Sequence, residues 1–199
     1  MQTHSWEEAY NNKSFKITTL SPSVLVGRYK HLLQEGDYVL DVGCGNGRNA
    51  LFLSSIGCFI DSFDVADLDW LDSSTYKKIN FQKSTVLDFD YKNDTYHCIV
   101  IARVIQYLNK EELLYLFKKI KDSLNKRGFL LLSFSSEGGI FNKETITVPK
   151  FHYKVDEIEV LLRELFNEIV ITKGSTKNLH VNYTEDVVSY DIFATNIKK

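Results

Sequence analysis

The most chemically suggestive stretch of this chain is Asp41-Val42-Gly43-Cys44-Gly45-Asn46-Gly47-Arg48, with glycine at alternate positions, an acid before and an arginine after. Glycine serves where backbone turns sharply and must approach a ligand with no side chain between. The stretch joins an apolar, strand-like run to a helical period, and a helix start offers unpaired N–H groups. Alone, such a loop says only that a nucleotide-like ligand approaches bare backbone, because nicotinamide-binding folds place one in the same position. Spacing narrows the choice. The dinucleotide pattern G-x-G-x-x-G, started at Gly43, requires glycine where Arg48 stands, and no Gly-Lys-Ser/Thr follows to make a P-loop.

Two further acids extend the constellation. Asp64 falls at the carboxyl end of the second predicted strand, where a carboxylate accepts hydrogen bonds from ribose hydroxyls. Asp88 follows the third, where one can accept from an adenine amino group. Each acid taken singly could equally be a loop residue or a helix cap. Ligands of open α/β sheets bind outside the carboxyl ends of the strands, and all three elements belong there. The expected cofactor-binding set is Asp41, Gly43, Cys44, Gly45, Asn46, Gly47, Asp64, Val65, Leu87, Asp88 and Arg103, the last ending strand four on the ligand side.

With these residues in place, Asp41-Val42-Gly43-Cys44-Gly45-Asn46-Gly47 resembles motif I of the class I, seven-stranded S-adenosylmethionine-dependent methyltransferases. Asp64 and Asp88 match that family's second and third acidic positions. Tyr96-His97-Cys98-Ile99-Val100 through Val104-Ile105-Gln106-Tyr107-Leu108 resembles its strand-four motif, with His97 where an aspartate is commoner. Within the class, Gly43-Cys44-Gly45-Asn46-Gly47-Arg48-Asn49 followed by Ala50-Leu51-Phe52-Leu53 is similar to the tellurite-resistance methyltransferases. So are Asn178-Leu179-His180 before a turn and Phe193-Ala194-Thr195 in the last strand, although Val181 stands where a second arginine commonly follows the histidine. The resemblance implies S-adenosylmethionine as cofactor, a small methyl acceptor such as an anionic metalloid oxyanion or a thiol, and active-site roles for His180 and Arg48.

The chemistry implied is an in-line displacement on an already activated methyl group, so alignment supplies much of the rate. Arg48 could clamp an anionic acceptor bidentately; the plainer reading is a surface arginine at a helix start, where the dipole disfavours it. His180, between the last two strands, could take a proton near neutral pH, or could be an exposed loop histidine. His152 and Tyr153 are second-rank candidates for the acceptor pocket. Trp6 and Tyr10 form either a lid or a docked terminal helix, and His4, His31 and His97 carry no supporting context.

The elements that must position these groups alternate between helical and strand periods, the signature of a doubly wound, Rossmann-like sheet with helices on both faces. A helix is predicted from Ser21 as N-cap with Pro22 at its first position. Strands are predicted over 38–42, 58–63, 81–86, 96–102 and 129–134, with helices over 47–56, up to 78, 109–124 and 155–165. Asn109 and Glu112 form a capping-box pattern. Two last strands, 168–172 and 187–194, have no helix between them and should pair antiparallel. The sheet is therefore expected to have seven strands, mostly parallel with the last antiparallel, and the penultimate strand is expected to run parallel to its neighbour. The chain reads as one domain over 1–199, with 1–20 as a helix or lid and 21–199 as the core.

Of 199 residues, 44% are apolar, enough for one sizeable core, and 24 basic against 26 acidic residues give a net charge of −2. That balance argues against nucleic acid as partner and against an anionic membrane surface. Cys44, Cys58 and Cys98 show no pairing pattern or metal-ligand spacing, so reduced, buried thiols and no metal are expected. Nothing resembles a signal peptide or a spanning segment, and a cytosolic enzyme is expected. Methylation of RNA or protein, and a cofactor-binding module without activity, stay open as other readings.

Overall fold

Near-continuous apolar runs become central strands because a strand covered by helices on both faces has no polar side to show. The computed structural model describes residues 21–67, 76–136, 149, 151–176 and 187–198. Its strands are β1 (Tyr38–Val42), β2 (Phe59–Asp64), β3 (Ile79–Lys83), β4 (Tyr96–Ala102), β5 (Leu124–Ser135), β6 (Phe166–Thr176) and β7 (Val187–Ile197). The helices among the described residues are α1 (Val24–Tyr29), α2 (Arg48–Ser55), α3 (Lys110–Ser123) and α4 (Val155–Leu165). The strands form one seven-stranded sheet in the order β3-β2-β1-β4-β5-β7-β6.

β1, β2, β3, β4 and β5 pair in parallel, while β7 is antiparallel to both β5 and β6. The antiparallel β6–β7 pairing is the one expected of the last two strands; what departs is the parallel neighbour expected for β6, because β7 stands between it and β5. Two successive antiparallel pairings restore the direction of β5, so the carboxyl end of β6 still opens on the same edge as the others. The chain runs outward from β1 through β2 to β3, then returns to β4 on the other side of β1. That reversal makes a switch point between β1 and β4, the usual ligand crevice of such sheets.

Alternation along the strands sorts their side chains into two cores. Leu40, Val42, Ile99, Ile101, Leu130 and Leu132 meet α3 and α4 through Leu113, Leu116, Phe117, Ile120, Ile158 and Leu162. Val39, Cys98, Val100, Phe129 and Leu131 meet α1 and α2 through Leu25, Val26, Ala50 and Leu53. The three cysteines are buried and free.

Element ends follow local hydrogen bonds. Asn109 and Glu112 close a capping box on α3, as their spacing predicts. The first helix is instead capped by Ser23, whose Oγ accepts from the Val26 N–H at 3.3 Å while its own N–H donates to Asn49 Oδ1; that tie to α2 overrides the Ser21-Pro22 signal. β3 lies earlier than predicted because Ile79 must pair with Ile60 of β2. Val86 is buried all the same, carried into the core by a turn closed by the Phe89 N–H on the Thr85 carbonyl. β5, β6 and β7 each outrun their apolar runs, since pairing extends into polar residues. No helix among the described residues is long and apolar enough to cross a membrane, and no metal-binding cluster occurs among them.

Candidate cofactor and acceptor site

Gly43, Gly45 and Gly47 all adopt left-handed backbone, with φ of 59°, 56° and 69°. Three such turns in five residues fold the chain back after β1, and an L side chain would be strained at each. At Gly43 a Cβ would also lie 2.6 Å from Val104 Cγ2, so the residue after β1 must be bare to pass the segment after β4. The loop is held by its own backbone: the Cys44 N–H donates to the Phe63 carbonyl and the Gly47 N–H to the Cys44 carbonyl.

Asp64 joins the loop to the end of β2. Its Oδ2 accepts from the Gly45 N–H at 2.8 Å and its Oδ1 from the Ala66 N–H at 3.0 Å. The carboxylate is buried, and burial pushes its pKa up against the donation from Ala66, Gly45 and Val65. Val65 is thus placed by its backbone N–H, beside this carboxylate. Asp41, on β1 beneath the loop, is only 1% exposed. Burial pushes its carboxyl up to about 7, against a hydrogen bond from the Ala50 N–H and with the Asp64 charge adding to the rise and Arg48 opposing it. Asp41 Oδ2 is buried with no hydrogen-bond partner.

Arg48 is the first residue of α2 and is partly exposed, with its N–H 3.4 Å from Asn46 Oδ1. Its charge acts on Asp41 and also on Arg103 across the switch point. Arg48 thus opens the helix that follows the loop, near enough to Asp41 and Arg103 for its charge to act on both.

Leu87 and Asp88 sit in the turn after β3. Thr85 organises it: its hydroxyl donates to Asp88 Oδ2 at 2.6 Å and accepts from the Leu87 and Asp88 N–H groups. Both residues are exposed, and the Leu87 carbonyl accepts from the Tyr115 hydroxyl. The Ser84 N–H donates to the Asp64 carbonyl, which ties this turn to the end of β2.

Arg103 follows β4 directly in left-handed backbone, φ 65°, a region costly for a residue with a long side chain. Its N–H donates to the Ser133 carbonyl, and its Nη1 donates to Ser135 Oγ; both partners belong to β5. Burial pushes the guanidinium pKa down, opposed by Asp191 and Tyr107 and reinforced by Arg48. Asp191 pairs with Ser133 on one side and Thr172 on the other. Burial pushes its carboxyl up, while Arg103 and Arg28 push it down. Tyr107 hydrogen-bonds the Gln106 side chain, and burial raises its pKa to about 12. Gln106 Oε1 is buried without a partner.

Asp191, Arg28, Ser135 and Tyr107 were outside the predicted site. Asp191 had a signal, a lone acid at an interior position of an otherwise apolar and small-polar strand; the others had none. His180, Trp6 and Tyr10 lie outside the described residues. His152 is exposed, and Tyr153 is buried with its hydroxyl donating to the Leu108 carbonyl, a contact that holds the start of α4. His97 sits at the opposite edge, its Nδ1 accepting from the Tyr38 N–H and its Nε2 3.5 Å from Asp37.

The architecture matches that of known methyltransferases. The Haemonchus contortus phosphoethanolamine N-methyltransferase 2, solved with phosphomonomethylethanolamine and S-adenosylhomocysteine, superimposes with a TM-score of 0.71 at 13% identity, over 98% of this chain and 60% of that one. An Archaeoglobus fulgidus S-adenosylmethionine-dependent methyltransferase gives 0.70 at 14% identity, over 98% and 100%. At these identities the likeness establishes the fold. In sequence, a Campylobacter concisus protein named ribosomal protein L11 methyltransferase is 31% identical over 157 residues, 70% of this chain and 51% of that protein. A Haemophilus influenzae protein named probable S-adenosyl-L-methionine-dependent methyltransferase TehB is 36% identical over 102 residues, 47% of this chain and 34% of that protein. The matched regions thus span about half of the first relative's own length and about a third of the second's. The model of the family described as tellurite resistance protein TehB matches residues 3–180, and on that match this chain belongs to the TehB family.

Proposed function

We propose that this chain is an S-adenosylmethionine-dependent methyltransferase acting on a small acceptor, an anionic metalloid oxyanion, a thiol or another small nucleophile. The observation that carries it is the loop of three left-handed glycines pinned through Gly45 by Asp64 at the β1–β4 switch point. The residues present fit the cofactor: a loop of bare, left-handed backbone at Gly43, Gly45 and Gly47, and a buried carboxylate oxygen on Asp41 that lacks a donor. Asp41 suits a cationic donor such as an ammonium group. Asp64 has lone-pair capacity beyond the N–H bonds it accepts from Gly45, Val65 and Ala66 and is assigned to ribose hydroxyls, and Asp88 to the adenine amino group. When bound, the cofactor supplies an activated methyl group.

The chain's own residues then orient and exclude. Arg48 holds an anionic acceptor facing the loop, and His180 takes the proton of an acceptor that carries one. Proximity provides much of the barrier reduction, because attack and departure must be collinear. A panel of thiols, amines, tellurite and selenite, scored by release of S-adenosylhomocysteine, tests this reading. Turnover with at least one member, lost in Arg48→Gln, is expected; no turnover with any member at saturating cofactor would sink it.

A second reading has one observation in its favour, the relative named for a ribosomal protein substrate. Transfer of labelled methyl to proteins of a ribosomal fraction, with none to the small-acceptor panel, would select it.

A further inference from the structure

We infer that Arg103 belongs to the acceptor rather than to the cofactor, binding an anionic group of two or more oxygens together with Arg48, and that Asp191 is its internal competitor. The inference rests on the proposed small-acceptor reading and deepens it.

Position comes first. Arg103 donates from its backbone N–H to the Ser133 carbonyl and from its head group to Ser135 Oγ, and both acceptors lie on β5. β5 flanks β4 on the side away from β1 and β2, whose ends carry the glycine loop and its acids. The guanidinium is therefore drawn toward β5 and β7, while the loop keeps to the β1–β2 side.

Strain comes second. A left-handed conformation at a residue other than glycine costs roughly 1–2 kcal/mol and persists only where its surroundings impose it. Arg103 bears that cost, and β5 holds both its backbone N–H and its head group. The result is a guanidinium whose direction is constrained just beyond the carboxyl end of β4.

Charge comes third. Arg48 and Arg103 repel each other across the switch point. A desolvated guanidinium with a second positive charge acting on it is relieved by an anion that reaches both, and the planar forks of arginine suit carboxylate and oxyanion oxygens alike. Asp191 lies near Arg103 but also answers to Arg28. One carboxylate shared between two arginines holds Arg103 in the manner an acceptor anion would, and opposes that anion's entry.

This arrangement makes the two charge changes opposite in sign. Calorimetric titration of selenite and of acetate into the full chain saturated with S-adenosylhomocysteine tests it, using wild type, Arg48→Gln, Arg103→Gln and Asp191→Asn. Arg103→Gln is expected to weaken anion binding about tenfold, the loss of a charge-assisted fork, with S-adenosylhomocysteine affinity within about twofold of wild type. Asp191→Asn is expected to tighten the same anion by a few-fold, about threefold as an order of magnitude for removing one nearby like charge. General damage to the fold cannot produce the two opposite shifts. The better of the two probes identifies the source, selenite an oxyanion and acetate a carboxylate. A cofactor affinity that falls with Arg103→Gln while anion binding holds would overturn the inference and leave the proposed function standing. Anion binding lost only in Arg48→Gln would do the same, and no anion binding to wild type would remove both.

Discussion

On the β1–β2 side of the sheet's carboxyl edge, contacts run through backbone: the N–H groups of Cys44, Gly45, Gly47 and Ala66 all find fixed partners. On the β4–β5–β7 side they run through side chains: Arg103 on Ser135, Asp191 between two arginines, Tyr107 on Gln106. The first side presents one stiff surface, suited to a ligand common to a large class of folds. The second can be retuned by exchanging side chains without touching the sheet. The contrast teaches where a motif can be read and where it cannot, because bare, left-handed backbone demands glycine while a charged pocket accepts many residue combinations.

The largest expected effect comes from breaking the stiff side. Gly43→Val places a β-branched residue at φ 59° with its Cβ on Val104. Strain and overpacking together cost roughly 3 kcal/mol, so calorimetry should show S-adenosylhomocysteine affinity reduced by about 100-fold or more. Retained affinity would mean that the loop's conformation is not what binds.

Asp64→Asn comes next. An amide oxygen can serve one side of this set of N–H donors, but an NH₂ must then face the other, and hydrogen bonds to a charged acceptor are worth about 1.5–3 kcal/mol. A ten- to hundredfold loss of cofactor affinity is expected, with little change in anion binding at Arg103. Equal losses at both would erase the division between the two sides.

The third prediction concerns pH. Asp41 is raised in the folded chain to about 7, so the folded state holds its proton more tightly than the unfolded chain. Its ionisation therefore destabilises: the cost is absent below the unfolded pKa, near 4, and grows until pH passes about 7. The cofactor-free protein should lose on the order of a few kcal/mol from this group between those limits. Asp41→Asn should flatten that part of the curve of melting temperature against pH. An unchanged slope would show that Asp41 ionises without cost.

The smallest effect belongs to the retunable side. Arg103→Gly relieves the left-handed strain while losing the Ser135 bond and loosening the unfolded chain. These terms nearly cancel, so denaturant unfolding should move by less than about 1 kcal/mol. A loss well beyond that would make Arg103 a structural pillar and weaken its place in the acceptor site.

Much of this was legible in the residues alone. Tyr38–Val42, Tyr96–Ala102 and Val155–Leu165 were bounded by their periodicity, and the Asn109–Glu112 cap by its spacing. Local rules worked there because local burial and local hydrogen bonds decide those elements. They failed at Ser23, capped through a bond from its N–H to Asn49, and at β3, whose register is set by Ile60. In both places the partner lies far along the chain.

The division at the site is the same. The sequence by itself determined the glycine loop, the acids beneath and beside it, and the arginine that excludes the nicotinamide spacing. Their identities follow from what bare backbone and a helix start require. Only the tertiary structure decided that Asp64 braces Gly45, that Asp41 is sealed with an oxygen lacking a partner, and that Arg103 leans on β5 beside Asp191. Those facts depend on which strands become neighbours, and long-range pairing is a property of the whole sheet that no local spacing encodes.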